Sequence, residues 1–255
     1  MSDVRAILQQ EGISTPTWRV ALRQGALEIG AISVPGAHAV LLWRKLRTLV
    51  DKTGCWPVIV GEKDALDFHQ ESMELEGPEA TADILQEGQR MSPAECLKEL
   101  AARGEGEEGE EDLTDEEGDD DEAEPAGPLE EFMIPKNIMT GKPLPEVFIV
   151  LVPVKNGWEV PAILRFGDWN DCPPPEAHVC LLKHWNEEYG AELVGLSQDV
   201  LEMHVGAPPT DDRKAELLAR EHYIYCADIV EQGTGSIQGL ARTLKGSSVW
   251  YFWWD

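Results

Sequence analysis

Between Gly104 and Glu124 the chain carries fourteen acidic residues and no basic one, with Leu113 as the single large apolar side chain. Burial cannot offset the ordering entropy of such a stretch, which is expected to form a disordered acidic linker over about 104–130. The linker divides the chain into an N-terminal α/β segment, 1–103, and a C-terminal α/β domain, 131–255. Composition places the rest among globular chains. Of 255 residues 42% are hydrophobic, enough to build a core.

The formal net charge is −27. Removing the fourteen acids of the run leaves −13, so the flanking parts are only moderately acidic. Binding to nucleic-acid backbone or to anionic lipid needs clusters of Lys and Arg, and this balance argues against both. A protein partner, and a basic one, fits the charge better. Arg44, Lys45, Arg47 and Lys52 are the exception, a positive polar side on the first amphipathic stripe.

The start, Met1 to Gln10, lacks the apolar core of a signal peptide, and the longest apolar run, Val147 to Val152, is far short of the ~20 residues that span a bilayer. The five cysteines are widely spaced with no C-x-x-C, as in reduced thiols, so a cytoplasmic location is expected.

Periodicity predicts α/β, or else α+β, with a mixed sheet flanked by helices. In the N-terminal segment, Trp18–Leu22 and Leu27–Val34 read as strands around Gln24-Gly25. Ala39, Leu42, Trp43, Leu46, Leu49 and Val50 form one helical stripe, and Trp56–Val60 is a buried strand. Ser92-Pro93-Ala94-Glu95 is a capping box opening a helix that stops at Gly104. Farther on, Val147–Lys155 and Trp158–Phe166 read as a hairpin about Asn156-Gly157, with Pro153 and Pro161 forcing a bulge or an edge. A helix follows over 176–189, then strands over 191–196 and 200–205. Next comes a helix capped by Thr210, a short helix from Ser236 and a last strand, Val249 to Asp255.

Four blocks in this second half carry a likeness. They are Gly167-Asp168-Trp169-Asn170-Asp171-Cys172-Pro173, Tyr189 to Val194, Tyr225-Cys226-Ala227-Asp228-Ile229-Val230 with Gln232-Gly233, and Trp250 to Asp255. Together they resemble the bacterial family known as domain of unknown function 4253, over about residues 145–255. Cys226-Ala227-Asp228 departs from the Cys-Pro-Asp usual in that family. The resemblance implies a bacterial, cytosolic α/β domain ending in an aromatic strand, and it implies no activity.

Several constellations could carry chemistry. The 167–175 loop joins a strand to a helix, where ligand sites gather, so Trp169, Asn170 and Asp171 are candidate binding residues; a simple turn is the competing reading. Cys172 before a helix start, with His178 or Asp228, is a candidate thiol nucleophile, although Pro173 removes an oxyanion donor. His222 and Cys226 at i, i+4 are a candidate metal pair, yet both also lie on an apolar stripe. Tyr225, Gln232, Trp253 and Asp255 are further partner-binding candidates, because an aromatic strand left open on one face is a contact surface. No phosphate-binding loop, H-E-x-x-H or G-x-S-x-G occurs, and no cofactor is implied. The expected function is a non-catalytic protein-binding or regulatory module; the alternative is a small hydrolase or thiol-dependent enzyme built around Cys172.

Overall fold

The computed structural model describes residues 2–75, 77, 79–104 and 127–255. The expected disordered run therefore lies outside the described residues from 105 to 126.

The chain opens with helix α1 (Ser2–Gln10), whose Val4 and Leu8, one turn apart, are buried against α3. Strands β1 (Arg19–Gln24) and β2 (Leu27–Val34) form a hairpin about Gly25 in the left-handed region. The stripe from Ala39 then splits into α2 (Gly36–Arg47) and the single turn α3 (Val50–Thr53), closed by left-handed Gly54. β3 (Trp56–Gly61) is buried throughout. Two helices, α4 (Lys63–Glu74) and α5 (Ala80–Arg90), occupy a stretch in which the periodicity analysis placed no element. α6 (Pro93–Gly104) starts with the expected box: Glu95 N–H donates to Ser92 Oγ (3.3 Å), and Ser92 N–H donates back to the Glu95 carboxylate (3.2 Å).

Beyond the acidic run, β4 (Val147–Val152) is a strand, but the predicted return strand is helical. Gly157–Glu159 is a 3-10 turn running into α7 (Val160–Leu164). The reason is local. The Glu159 carboxylate accepts from Asn156 N–H (2.9 Å), which makes Asn156 a capping residue and not the first position of a hairpin turn. Pro161 then sits in the first turn of a helix, where its missing N–H costs nothing. α8 (Pro175–Tyr189), β5 (Ala191–Leu196) and β6 (Val200–Val205) follow as expected. α9 (Asp212–Tyr225) is capped by Asp211, which accepts from Lys214 N–H (3.0 Å), not by Thr210. A π turn over Ile229–Thr234 leads to α10 (Ile237–Leu244), capped by Ser236. β7 (Val249–Trp253) is the last strand.

All described strands join one mixed sheet in the order β1-β2-β4-β3-β5-β6-β7, with β3 and β5 the parallel pair. Strands from both sides of the acidic run alternate at its centre, since β4 lies between β2 and β3. The two parts of the chain share one sheet and one continuous core. Residues 127–146 form a strap tied to the rest of the fold at three places. Leu129 N–H donates to Ser247 Oγ (3.1 Å), Met133 and Ile134 N–H groups donate to the buried Glu202 carboxylate, and Gly36 N–H donates to Leu144 O (2.9 Å). Among the described residues no helix is long and apolar enough to cross a membrane.

Candidate functional site

The loop between α7 and α8 is conformationally unusual. Arg165, Asp168 and Asn170 all have positive φ (54°, 63° and 44°), and Gly167 has φ 116°. A run of left-handed residues winds the backbone tightly, so the chain leaves α7, exposes Asp168 and Asn170, and returns to bury Phe166 and Cys172. A Cβ on Gly167 would stand 2.0 Å from Pro173 O, so the winding also needs glycine there.

This winding sets Cys172 Sγ 3.5 Å from His178 Nε2, on the first turn of α8. On the other side of the ring, His178 Nδ1 is 2.6 Å from Tyr225 OH, at the end of α9. Phe166, Trp254 and Tyr225 pack around the imidazole with ring centroids 5.1, 5.7 and 5.4 Å away. Cys172 is 1% exposed and His178 fully buried.

The protonation pattern follows from the partners. His178 Nε2 faces Cys172 and Nδ1 faces the Tyr225 hydroxyl, so both ring nitrogens have a polar neighbour inside the core. Burial pulls the His178 pKa down to about 3, so the imidazole is neutral. Burial also pushes the Cys172 thiol well above its ordinary range, with nearby Cys226 adding to the effect. Tyr225 is likewise raised by burial. A thiol raised this far, facing an imidazole whose basicity burial has lowered, keeps its proton. What the arrangement does is satisfy an imidazole and a phenol inside the core and pin the 167–175 loop to α9.

Four of the remaining sequence candidates, Asn170, Asp228, Gln232 and Asp255, form a second knot, at the surface. Asn170 Nδ2 donates to Asp255 O (2.8 Å), and Asp255 N–H donates to Asp228 Oδ2 (3.0 Å). Gln232 Nε2 donates to the other oxygen of Asp228 (2.9 Å). Three of the four blocks of resemblance thus meet at Asp228. Asp171 is exposed and lies outside the knot. Trp169 is half-buried against Phe68 and Phe166, and Trp253 is half-buried beside Tyr251.

His222 and Cys226 each have neighbours of their own. The His222 ring packs between Trp185, Trp250 and Phe252 at 4.7–4.8 Å, and burial lowers its pKa to about 3. Cys226 Sγ donates to Trp253 O (2.9 Å), and burial pushes its pKa up to about 12. Among the described residues no group of three or more His, Cys, Asp or Glu side chains is placed to hold a metal ion.

The strap carries a feature that the sequence reading passed over. Residues 136–143 form a tight hairpin closed by a Lys136–Pro143 bridge. Asn137 Oδ1 accepts from both the N–H and the hydroxyl of Thr140 (3.0 Å each), and left-handed Gly141 turns the chain back, its N–H donating to Asn137 O (2.8 Å). At the tip Ile138 is 70% exposed and Met139 88%. The signal in the sequence was the Asn137-to-Gly141 turn chemistry between Pro135 and Pro143.

No curated protein and no solved structure matches the chain. Residues 148–255, from the second residue of β4 onward, match the family described as Domain of unknown function (DUF4253).

Proposed function

We propose that this protein is a non-catalytic binding module that engages another protein through the hairpin tip of the strap. The observation that carries this reading is the pairing of Ile138 and Met139, two large apolar side chains held in water by a fixed turn. Exposed apolar groups bound to a rigid backbone gain burial on docking and lose little conformational freedom. The partner supplies an apolar pocket for the tip. The net charge of −27 favours a partner that is basic overall.

The test compares the full chain with its Ile138→Ser/Met139→Ser variant in affinity purification at two salt concentrations. Both proteins should have the same melting temperature, since the tip packs on nothing. A stoichiometric partner retained by the wild type and lost by the variant is the expected result. Equal retention by both, or no partner at either salt, removes the reading.

A thiol-dependent enzyme is the second reading, favoured by the 3.5 Å contact of Cys172 with His178. It requires a reactive thiol, whereas burial supports an inert one. Native protein treated with iodoacetamide should leave Cys172 unlabelled until it unfolds. Fast labelling of Cys172 in the folded state would favour the enzyme.

A further inference from the structure

A cavity of about 450 Å³ opens at the end of α1, lined by Arg5, Gln9 and the turn from Gly12 to Pro16. Small-molecule sites run from roughly 300 to 1,000 Å³, so the volume suits a compact ligand. Its walls are fixed. Ile13 N–H donates to Leu8 O (2.9 Å) and Gly12 N–H to Gln9 O (3.1 Å), with Gly12 left-handed at φ 74°, which closes α1 in a Schellman motif. Gln9 Nε2 donates to Thr15 Oγ1 (3.2 Å) and ties the helix to the turn. Open carbonyls at a helix end repel anions, but those of Ile7, Leu8 and Gln9 are already occupied by the N–H groups of Glu11, Ile13 and Gly12.

What the cavity offers is donors. Thr15 is 4% exposed, and its hydroxyl, which accepts from Gln9, has no acceptor for its own proton among the described residues. The Arg5 guanidinium and the Ser14 hydroxyl, both exposed, form no hydrogen bond or ion pair there. No acidic side chain lines the cavity, although the chain as a whole carries a charge of −27.

We infer that this cavity binds a small organic monocarboxylate, its charged end on Arg5 and the Ser14 and Thr15 hydroxyls and its aliphatic body against Ile13 and Pro16. A guanidinium pairs with a carboxylate through two parallel hydrogen bonds, and one such pair neutralises the single charge on each side. A phosphate dianion would keep one charge unmatched, since Arg5 is the only cationic side chain in the lining. The apolar faces of Ile13 and Pro16 favour an aliphatic acid over acetate, because burial of its body adds to the ion pair. This site shares no residue with the hairpin tip, so it stands whether or not the tip docks a protein.

The experiment titrates the full chain, labelled with nitrogen-15, with 4-methylpentanoate and follows the amide resonances. Saturable shifts at Gly12, Ile13, Ser14 and Thr15 are expected. Arg5→Gln should weaken this binding about tenfold or more, the worth of a hydrogen bond to a charged group, and leave the melting temperature unchanged because Arg5 is exposed. Ser14→Ala should cost less, since it removes a neutral donor. Two further titrations define the ligand class: the neutral 4-methylpentanamide and inorganic phosphate should both bind more weakly than the acid. Absence of saturable shifts at the four turn amides would overturn the inference. So would undiminished binding by Arg5→Gln, or binding of the amide or of phosphate as tight as that of the acid.

Discussion

His69, His178 and His222 are fully buried and neutral, with pKa values pulled down by burial to about 4, 3 and 3. An unfolded imidazole takes up a proton near pH 6.5, so below that pH the unfolded chain binds protons that the folded chain refuses. Stability from these groups is complete above pH 6.5 and falls as the pH drops, by about 2 kcal/mol per imidazole at pH 5. Glu202 works in the opposite sense. Its carboxyl is raised by burial to about 7, so between 4.5 and 7 the folded state holds a proton that the unfolded state has released. Its contribution grows as the pH falls to 4.5 and offsets about one imidazole. Thermal melts should therefore show a net loss of stability between pH 7 and pH 5, and a flat profile would contradict the neutral buried imidazoles. At this scale the sequence named the right neighbours without their relation. Cys172 and His178 were visible as a pair, but their 3.5 Å approach is a consequence of three left-handed residues, which no local pattern announces.

Helices and strands with strong internal signals were legible where the signal was also unambiguous. The Ser92 and Ser236 caps, α8, β5 and β6 stand where the sequence placed them. Asn156-Gly157 failed because the same dipeptide opens a hairpin or caps a helix, and the deciding residue, Glu159, lies three positions on. β7 illustrates a different limit. Its Trp250 and Phe252 are buried while Tyr251 and Trp253 stay half-covered, a split set by what packs on each face and not by the strand's own residues. The strap is an element that only tertiary contacts define. Its junction with α2 is tight: a Cβ on Gly36 would lie 2.2 Å from Pro135 O and 2.9 Å from Leu144 N, both backbone atoms. Gly36→Ala should destabilise the protein by about 1–3 kcal/mol through this overpacking. Denaturant melts measure the loss; an unchanged midpoint would mean that the strap yields without cost.

At the scale of the molecule, the sequence showed the mixed α/β character and the break in composition at residue 104, but not that strands from both sides interleave. Strand order is set by which edges can pair, and the apolar runs of β3 and β4 are equally suited to several neighbours. Residues 148–255 match a family on their own, yet among the described strands β4 pairs with β2 and β3, both before residue 148. A fragment of residues 148–255 is expected to lack a cooperative thermal transition and to give poorly dispersed amide resonances. A sharp melt of that fragment would show that β5 to β7 and their helices suffice.

The place of β4 also dictates a timetable. During synthesis β1, β2 and β3 leave the ribosome first, and the two edges that β4 will join, on β2 and on β3, must wait for it. Until residue 152 emerges, those edges can be claimed by another nascent chain. The closing step brings together strands about 90 to 120 residues apart, so folding is slow for a chain of this size. Chaperone demand in the cell should track that delay more than the final stability.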